Sequence, residues 1–125
     1  TLYCQLYEDN IHGEEVAAFF RQLLRQVPGH LIVLLDNGKI HRGDPVHELL
    51  ARTSRLHLVP FPLYAPELNP DEGVWNHLKR KLANGRPDTQ SELMDALSDE
   101  ICRLAASQPL LRGCIQQSEL PPFLP

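Results

Sequence analysis

The chain has 125 residues, of which 42% are hydrophobic, so it fits one small domain or part of a larger one with an apolar core. Its net charge of −4 does not suggest a nucleic-acid partner, and no apolar run approaches the roughly 20 residues of a membrane helix. Three cysteines, widely spaced and in no CxxC pattern, argue against a disulfide framework or a zinc site. With no basic leader before an apolar stretch, we expect a soluble cytoplasmic protein with reduced thiols.

The charge is unevenly distributed along the chain. Residues 37–87 hold eight Lys or Arg against five Asp or Glu, so the middle is basic and the remainder carries the negative charge. A basic region suits a protein that positions a phosphodiester backbone. A mixed solvated surface is the other interpretation, and charge alone favours it.

The first half of the chain predicts alternating strands and helices. Apolar alternation predicts a strand over residues 1–8, and apolar steps of three and four predict an amphipathic helix over 14–27. The run LIVLL at 31–35 is typical of a parallel strand buried on both faces. Residues 45–52 then predict a short helix and 56–59 a strand. This order predicts a parallel sheet with helices on both sides.

The second half predicts helices after a stiff, proline-rich loop. Asn69 is a suitable N-cap for a helix that runs to about Ala83, where Asn84 and Gly85 would stop it. A last helix is predicted over 90–105. We expect residues 1–107 to form the domain, and residues 108–125 to form a proline-rich tail that is irregular or loosely docked.

Two carboxylates stand at positions that favour chemistry. Asp36 follows LIVLL directly, and open α/β sheets bind ligands at the carboxyl ends of their strands, although an Asp-Asn turn would also explain it. Glu72 falls in the first turn of the predicted helix, where a capping box with Asn69 would account for it equally well. Asp71, one residue away, is the rival ligand.

These carboxylates lie in two segments, LIVLLDNGKIHR and FPLYAPELNPDEGVWNHLKRKL, that resemble the catalytic core of DDE transposases of the IS630/Tc1/mariner superfamily. In that core a strand ends in Asp-Asn and a YSPxLNPIExxW-like block follows at a mid-thirties spacing. Asp36 and Glu72 hold the matching places, with 35 residues between them. Ala65, Asp71 and Gly73 depart from the block, which has Ser, Ile and a larger residue there. The resemblance runs from about residue 10 to about 106.

The resemblance implies a partial RNase H-like fold of the α/β class, with a mixed or parallel sheet flanked by helices in the order βαβαβαα, lacking the N-terminal strands. It implies a transposase or integrase-type endonuclease core that hydrolyses DNA phosphodiesters and transfers strands for an insertion sequence. The partners would be transposon ends and target DNA, with a homodimer in the full-length protein. The expected location is the prokaryotic cytoplasm, associated with the nucleoid.

The family uses three carboxylates, of which Asp36 and Glu72 match the second and third. The chain opens at Thr1 on an apolar alternating run, as a cut through a fold would, so we expect a fragment without the first Asp. By itself this chain would be inactive, and the edge of the 31–35 strand would be unpaired. A remnant that binds DNA or a protein partner without cutting is the alternative function.

Metal and DNA contacts follow from the same resemblance. Asp36 and Glu72 would hold two Mg²⁺ or Mn²⁺ ions, since hard oxygen ligands select these metals. Asn37 and His41 match a DNxxxH arrangement close to the substrate backbone. Phosphate contacts are expected from three basic residues, Lys79, Arg80 and Arg86, with a merely solvated basic helix as the alternative. Trp75 is expected to pack in the hydrophobic core. Stacking on a DNA base is the alternative function for this side chain.

Overall fold

The computed structural model describes residues 1–119 of the chain. They form two compact units, which we treat separately. The sheet unit comprises Asp9–Tyr64, and the helical unit comprises Thr1–Glu8 together with the described residues from Ala65 onwards. No helix in the described part of the chain is both long and apolar enough to span a membrane.

The sheet unit is a pair of parallel strands with two helices. Its elements are α1 (Gly13–Gln26), β1 (Leu31–Leu35), α2 (Asp44–Arg52) and β2 (Leu56–Pro60), with a 3₁₀ turn at Lys39–His41. The register pairs Leu31 with Leu56 and Leu35 with Pro60. Because the strands are parallel, both carboxyl ends lie at the same edge of the sheet.

One face of this sheet is covered and the other is exposed. Both helices contribute to one buried cluster, against which alternate strand residues pack: Val16, Ala17, Phe20, Val46, Leu49 and Leu56 form the cluster, and Leu31, Val33, Leu35 and Leu58 pack on it. Ile32 and Leu34 point the other way and are 69% and 47% exposed. The prediction that LIVLL is buried on both faces was therefore wrong, because α1 and α2 share one side.

Arg55 connects the start of β2 to the end of α1. Its guanidinium donates hydrogen bonds to the carbonyl oxygens of Leu24 (3.0 Å), Val27 (2.6 Å) and Gly29 (2.8 Å). A cation at this end of a helix satisfies carbonyl groups that have no partner within the helix and complements the helix dipole. Arg55 belongs to the basic region of residues 37–87, but its guanidinium binds backbone carbonyl oxygens of the protein itself.

The helical unit contains α3 (Asp71–Gly85), α4 (Gln90–Ala106) and α5 (Gln108–Gln116), after a 3₁₀ turn at Pro66–Leu68. The strand predicted over residues 1–8 is not formed. Leu2 instead packs on a buried cluster of Leu104, Leu111 and Cys114, so its apolar contacts are to helices. The alternation of apolar and polar residues over 1–8 correctly indicated that some of these side chains face a core. That core is made of helices, so residues 1–8 have no neighbouring strand with which to pair.

The prediction of an irregular tail was wrong for Gln108–Gln116, which is α5. Pro109 lies in the first turn, where a helix tolerates proline, and the Ser107 hydroxyl accepts a hydrogen bond from the Leu110 N–H (3.4 Å). Leu111 and Cys114 bury the inner face. Pro121, Pro122 and Pro125 of the predicted tail lie outside the described residues.

A buried hydrogen bond joins α3 to α4. His77 Nε2 lies 2.8 Å from Glu100 Oε1, and Arg103 donates to Glu100 Oε2 at 3.0 Å. Both His77 and Glu100 are buried. The hydrogen bond from His77, aided by Arg103, lowers the pKa of the Glu100 carboxyl in spite of its desolvation.

The expected fold class is confirmed. The structure is mixed α/β and mostly helical, with a two-stranded parallel sheet flanked by helices, consistent with a partial RNase H-like fold. The order differs from the predicted βαβαβαα at both ends, because the first strand is absent and α5 is added.

Candidate active site

Asp36 directly follows β1, at the carboxyl end of the parallel pair. Its Oδ1 accepts a hydrogen bond from the Gly38 N–H (2.9 Å) and lies 2.8 Å from His41 Nε2. Both contacts use the same oxygen, so Oδ2 has no hydrogen bond among residues 1–119, and the side chain is 68% exposed. Asp36 thus forms the predicted turn and still offers an oxygen to a ligand.

His41 lies against Asp36 from the 3₁₀ turn that follows β1. Its side chain is only 20% exposed, and Nδ1 is buried without a hydrogen-bond partner among the described residues. A proton on Nδ1 would be an unsatisfied buried donor, so the tautomer with its proton on Nε2 fits best. That proton points to Asp36 Oδ1, and His41 therefore orients the carboxylate.

Asn37 fastens the end of β1 to the end of β2. Its Nδ2 donates to the Phe61 carbonyl (3.0 Å), and Arg42 Nη2 donates to both its backbone carbonyl and its Oδ1 (3.1 Å each). The loop that carries Asp36 is therefore tied down on both sides. A DNA contact by Asn37 remains a prediction. Sequence reasoning missed the bracing role of Arg42, although the tight turn after β1 brings position 42 back to position 37.

Glu72 lies in the first turn of α3, and its side chain is exposed. The alternative explanation, a capping box, is contradicted. The Asn69 N–H donates to the Pro66 carbonyl (3.0 Å), and Asn69 Oδ1 accepts from the Asp71 N–H (3.0 Å). Pro70 occupies the N-cap position, with no side-chain cap hydrogen bond. Within residues 1–119 the Glu72 carboxylate has no hydrogen bond or ion pair, so it is available to a ligand.

A groove of about 250 Å³ runs beside Glu72. Most of its lining is polar, and it combines the start of α3 with the residues that follow α5: Pro66, Glu67, Asn69, Glu72, Gly73, Asn76, Gln117 and Ser118. Gln117 and Ser118, which belong to the segment predicted to be a tail, therefore lie next to Glu72, the predicted catalytic carboxylate.

The basic residues predicted to contact DNA lie on α3 or directly after it. Lys79, Arg80 and Arg86 are exposed, and Arg80 Nε donates to the Asn76 carbonyl of its own helix (3.3 Å). Arg86 takes the left-handed conformation (φ 46°) that ends α3, so the helix continues through Asn84 and Gly85, one to two residues beyond the predicted stop. Their exposure is compatible with phosphate contacts and with a solvated face.

Trp75 does not anchor the core. It is 52% exposed, whereas Leu78, three residues further along the helix, is 3% exposed. The buried face of α3 is formed by Gly73, His77 and Leu78 instead. The difference arises because helix α5 approaches α3 along the side of Gly73, which shifts the buried face away from Trp75.

The two carboxylates suit a hard divalent cation, since both are oxygen donors with free lone pairs. Asp36 belongs to the sheet unit and Glu72 to the helical unit. In residues 1–119 no group of three or more His, Cys, Asp or Glu side chains gathers where it could hold a metal ion. The structure thus offers single carboxylate ligands, each oriented within its own unit.

Comparison with known families places the chain by its sequence. A family model described as DDE superfamily endonuclease matches residues 1–94. The match spans the sheet unit and α3 and ends within α4, before α5. No curated protein and no solved structure matches the chain.

Proposed function

Because the chain belongs to the DDE superfamily endonucleases, we propose that it is a transposase or integrase-type catalytic core of the IS630/Tc1/mariner branch. Its substrates are transposon ends and target DNA, and it hydrolyses phosphodiesters and transfers strands with Mg²⁺ or Mn²⁺. The full-length protein acts as a homodimer. Family membership supports the nuclease or transposase class, and the matched residue blocks support the finer assignment.

One observation carries the proposal: both matched carboxylates keep oxygens that have no hydrogen-bond partner among residues 1–119. Each could have been consumed by local structure, Asp36 by its turn and Glu72 by a capping box. Asp36 uses only Oδ1 in its turn, and Glu72 takes no part in capping. The exposed oxygens of the two side chains are therefore accessible to a metal ion, which supports the proposal.

In this mechanism Asp36 and Glu72 hold the metal. When bound, two divalent cations neutralise charge on the scissile phosphate and favour deprotonation of the attacking hydroxyl or water. His41 and the Gly38 N–H fix the direction of the Asp36 carboxylate. Glu72 presents its exposed carboxylate from the first turn of α3.

Basic residues hold the DNA in this mechanism. Lys79, Arg80 and Arg86 contact the phosphate backbone from α3, which positions the substrate without reading its sequence. Asn37 and His41 approach the substrate strand from the loop after β1. Their hydrogen bonds within the protein support this function by keeping that loop rigid.

We propose that the 125-residue chain by itself does not cut DNA. The family set has three carboxylates, and the matched positions supply two, which hold divalent metal loosely. An assay of plasmid nicking with Mg²⁺ should therefore give no product. Robust nicking that Glu72→Gln abolishes would show that a third ligand is not needed.

Metal binding tests the proposal, and isothermal titration calorimetry with Mn²⁺ is a direct assay. We expect weak binding by the wild type, reduced about tenfold or more in Asp36→Asn and in Glu72→Gln. Asp71→Asn, at the rival carboxylate, and Asp44→Asn, at an exposed carboxylate of α2, should bind like the wild type. Equal loss in all four variants would indicate nonspecific attraction to acidic residues and would overturn the assignment.

A further inference from the structure

Helix α5 approaches the backbone of α3 directly at Gly73. A Cβ atom at that position would lie 2.0 Å from the Cys114 carbonyl oxygen and 2.8 Å from its carbonyl carbon. Both contacts are to backbone, which cannot move aside as a flexible side chain can. Any residue other than glycine would therefore push α5 away from the first turn of α3. Glycine is among the poorest helix formers, so close approach is the physical reason for its presence here.

This contact joins an element outside the family match to the matched region. The match ends at residue 94, whereas α5 spans Gln108–Gln116. Position 73 is also one of the places where the chain departs from the block it resembles, which has a larger residue there. The small residue and the extra helix complement each other, since the first makes room for the second.

The contact adjoins Glu72, and the chain after α5 reaches the other side of the same residue. Gln117 and Ser118 line the groove beside Glu72. The Glu119 N–H donates a hydrogen bond to the Glu67 carbonyl (2.8 Å), in the 3₁₀ turn that precedes α3. The segment from α5 to Glu119 therefore braces the backbone both before and after Glu72.

Helix α5 is held in place by its own buried face. Leu111 and Cys114 are 6% and 3% exposed and pack with Leu104 of α4. Burial raises the pKa of the Cys114 thiol, which makes that thiol unreactive while α5 is docked. Cys114 is therefore a built-in reporter of docking.

We propose that α5 is a positioning element for Glu72: it fixes the first turn of α3, and it holds in place Gln117 and Ser118, which line the groove in which the carboxylate takes its metal. This inference rests on the proposed function, since it concerns metal at Glu72. Gly73 is a positioning residue in this account, because it acts through the backbone and touches neither metal nor DNA.

The test uses the whole chain in a Cys4→Ser, Cys102→Ser background, which leaves Cys114 as the sole thiol. Two variants undock α5 from opposite sides: Gly73→Ala on α3 and Leu111→Ala on α5. Their controls are Gly85→Ala, at a helical glycine with open space around it, and Leu110→Ala, at the exposed neighbour of Leu111. Maleimide should label Cys114 about tenfold faster in the two variants and at the wild-type rate in the controls.

Mn²⁺ alone then probes the site, through paramagnetic broadening of the amide signals of Glu72 and Asp36. In the wild type and both controls we expect broadening at both positions. In Gly73→Ala and Leu111→Ala the Mn²⁺ concentration needed to broaden Glu72 should rise about tenfold, the cost typical of losing a group that orients a ligand. If Gly73→Ala fails to fold, as judged by circular dichroism, Leu111→Ala decides the question.

The outcomes separate the inference from the proposed function. No broadening at Glu72 in the wild type would overturn the proposed function, and the inference with it. Broadening in the wild type with an unchanged Mn²⁺ dependence in variants that expose Cys114 would overturn the inference alone. Failure of both variants to expose Cys114 would also overturn it, because α5 would then not depend on these contacts.

Discussion

Arg55 places a full positive charge on three carbonyl oxygens at the end of α1. Arg55→Ala should lower the free energy of unfolding by about 3 kcal/mol, since charged hydrogen bonds are lost and these carbonyls have no other hydrogen bond among residues 1–119. Arg55→Lys should recover less than half, because an ammonium cannot reproduce the guanidinium fork. Urea denaturation measures both. Arg52→Ala, at an exposed arginine of α2, is the control. Equal losses of stability at positions 52 and 55 would show that the hydrogen bonds of Arg55 do not stabilise the fold.

Candidate site residues could be proposed from the sequence, but their hydrogen-bond partners could not. Asp36 and Glu72 were found from the strand end and the matched spacing. The capping box was wrong because the Asn69 N–H is already bonded to the Pro66 carbonyl. His41 contacts Asp36 and Arg42 contacts Asn37 because the short turn after β1 folds the chain back. The spacing of these residues in the sequence does not predict the geometry of that turn.

At the scale of elements, the pair of His77 and Glu100 makes the packing of α3 on α4 depend on pH. The pKa of Glu100 is lowered from its ordinary value of 4.5, so its contribution to stability is present above that value and is lost as pH falls through the folded-state pKa. Urea midpoints from about pH 7 down to about pH 3 should therefore decline at the acid end.

Substitution of Glu100 isolates this effect. Glu100→Gln should lower stability near neutral pH by about 2 kcal/mol, because the charge-assisted hydrogen bonds from His77 and Arg103 are weakened. The acid decline should also become shallower in this variant. Asp95→Asn, on the exposed part of α4, should retain both the stability and the decline of the wild type. An unchanged acid limb in Glu100→Gln would contradict the role of the pair.

The sequence predicted most elements of the chain and failed at its ends. Helical periodicity and a buried apolar run located α1, β1, α2, β2, α3 and α4, because each has its own apolar face. Residues 1–8 alternate like a strand, but Leu2 packs on helices. Helix α5 was missed because prolines near the end of the chain suggested irregular structure, although Pro109 is in the one turn of a helix that accepts it.

At the scale of the whole molecule, the sheet exposes an apolar surface. Ile32, Leu34 and Val59 are 69%, 47% and 44% exposed, and Leu34 is opposite Val59 in the register. In the described residues β1 pairs with β2 alone, and residues 1–8 do not form the strand that was predicted there. An uncovered apolar face next to an open strand edge favours association between copies.

We therefore expect the chain to self-associate in solution. Light scattering after size-exclusion chromatography should show a mass that increases with concentration. Leu34→Lys should reduce the increase, whereas Leu63→Lys, at a leucine that is 70% exposed in a loop, should not. A monodisperse monomer with a cooperative thermal transition above roughly 65 °C would contradict this expectation. It would indicate that the apolar face and the open strand edge do not cause association.

The central proposal is that Asp36 and Glu72 both hold the metal, and cleavage of the chain by bound Fe²⁺ tests it most directly. Fe²⁺ in place of Mg²⁺, with ascorbate and peroxide, cuts the backbone next to the site that holds it. We predict cuts near residue 36 and near residue 72 in the wild type and in Asp71→Asn, and loss of both cuts together in Asp36→Asn and in Glu72→Gln. Cuts near only one of the two positions, or loss of one cut without the other, would contradict the claim.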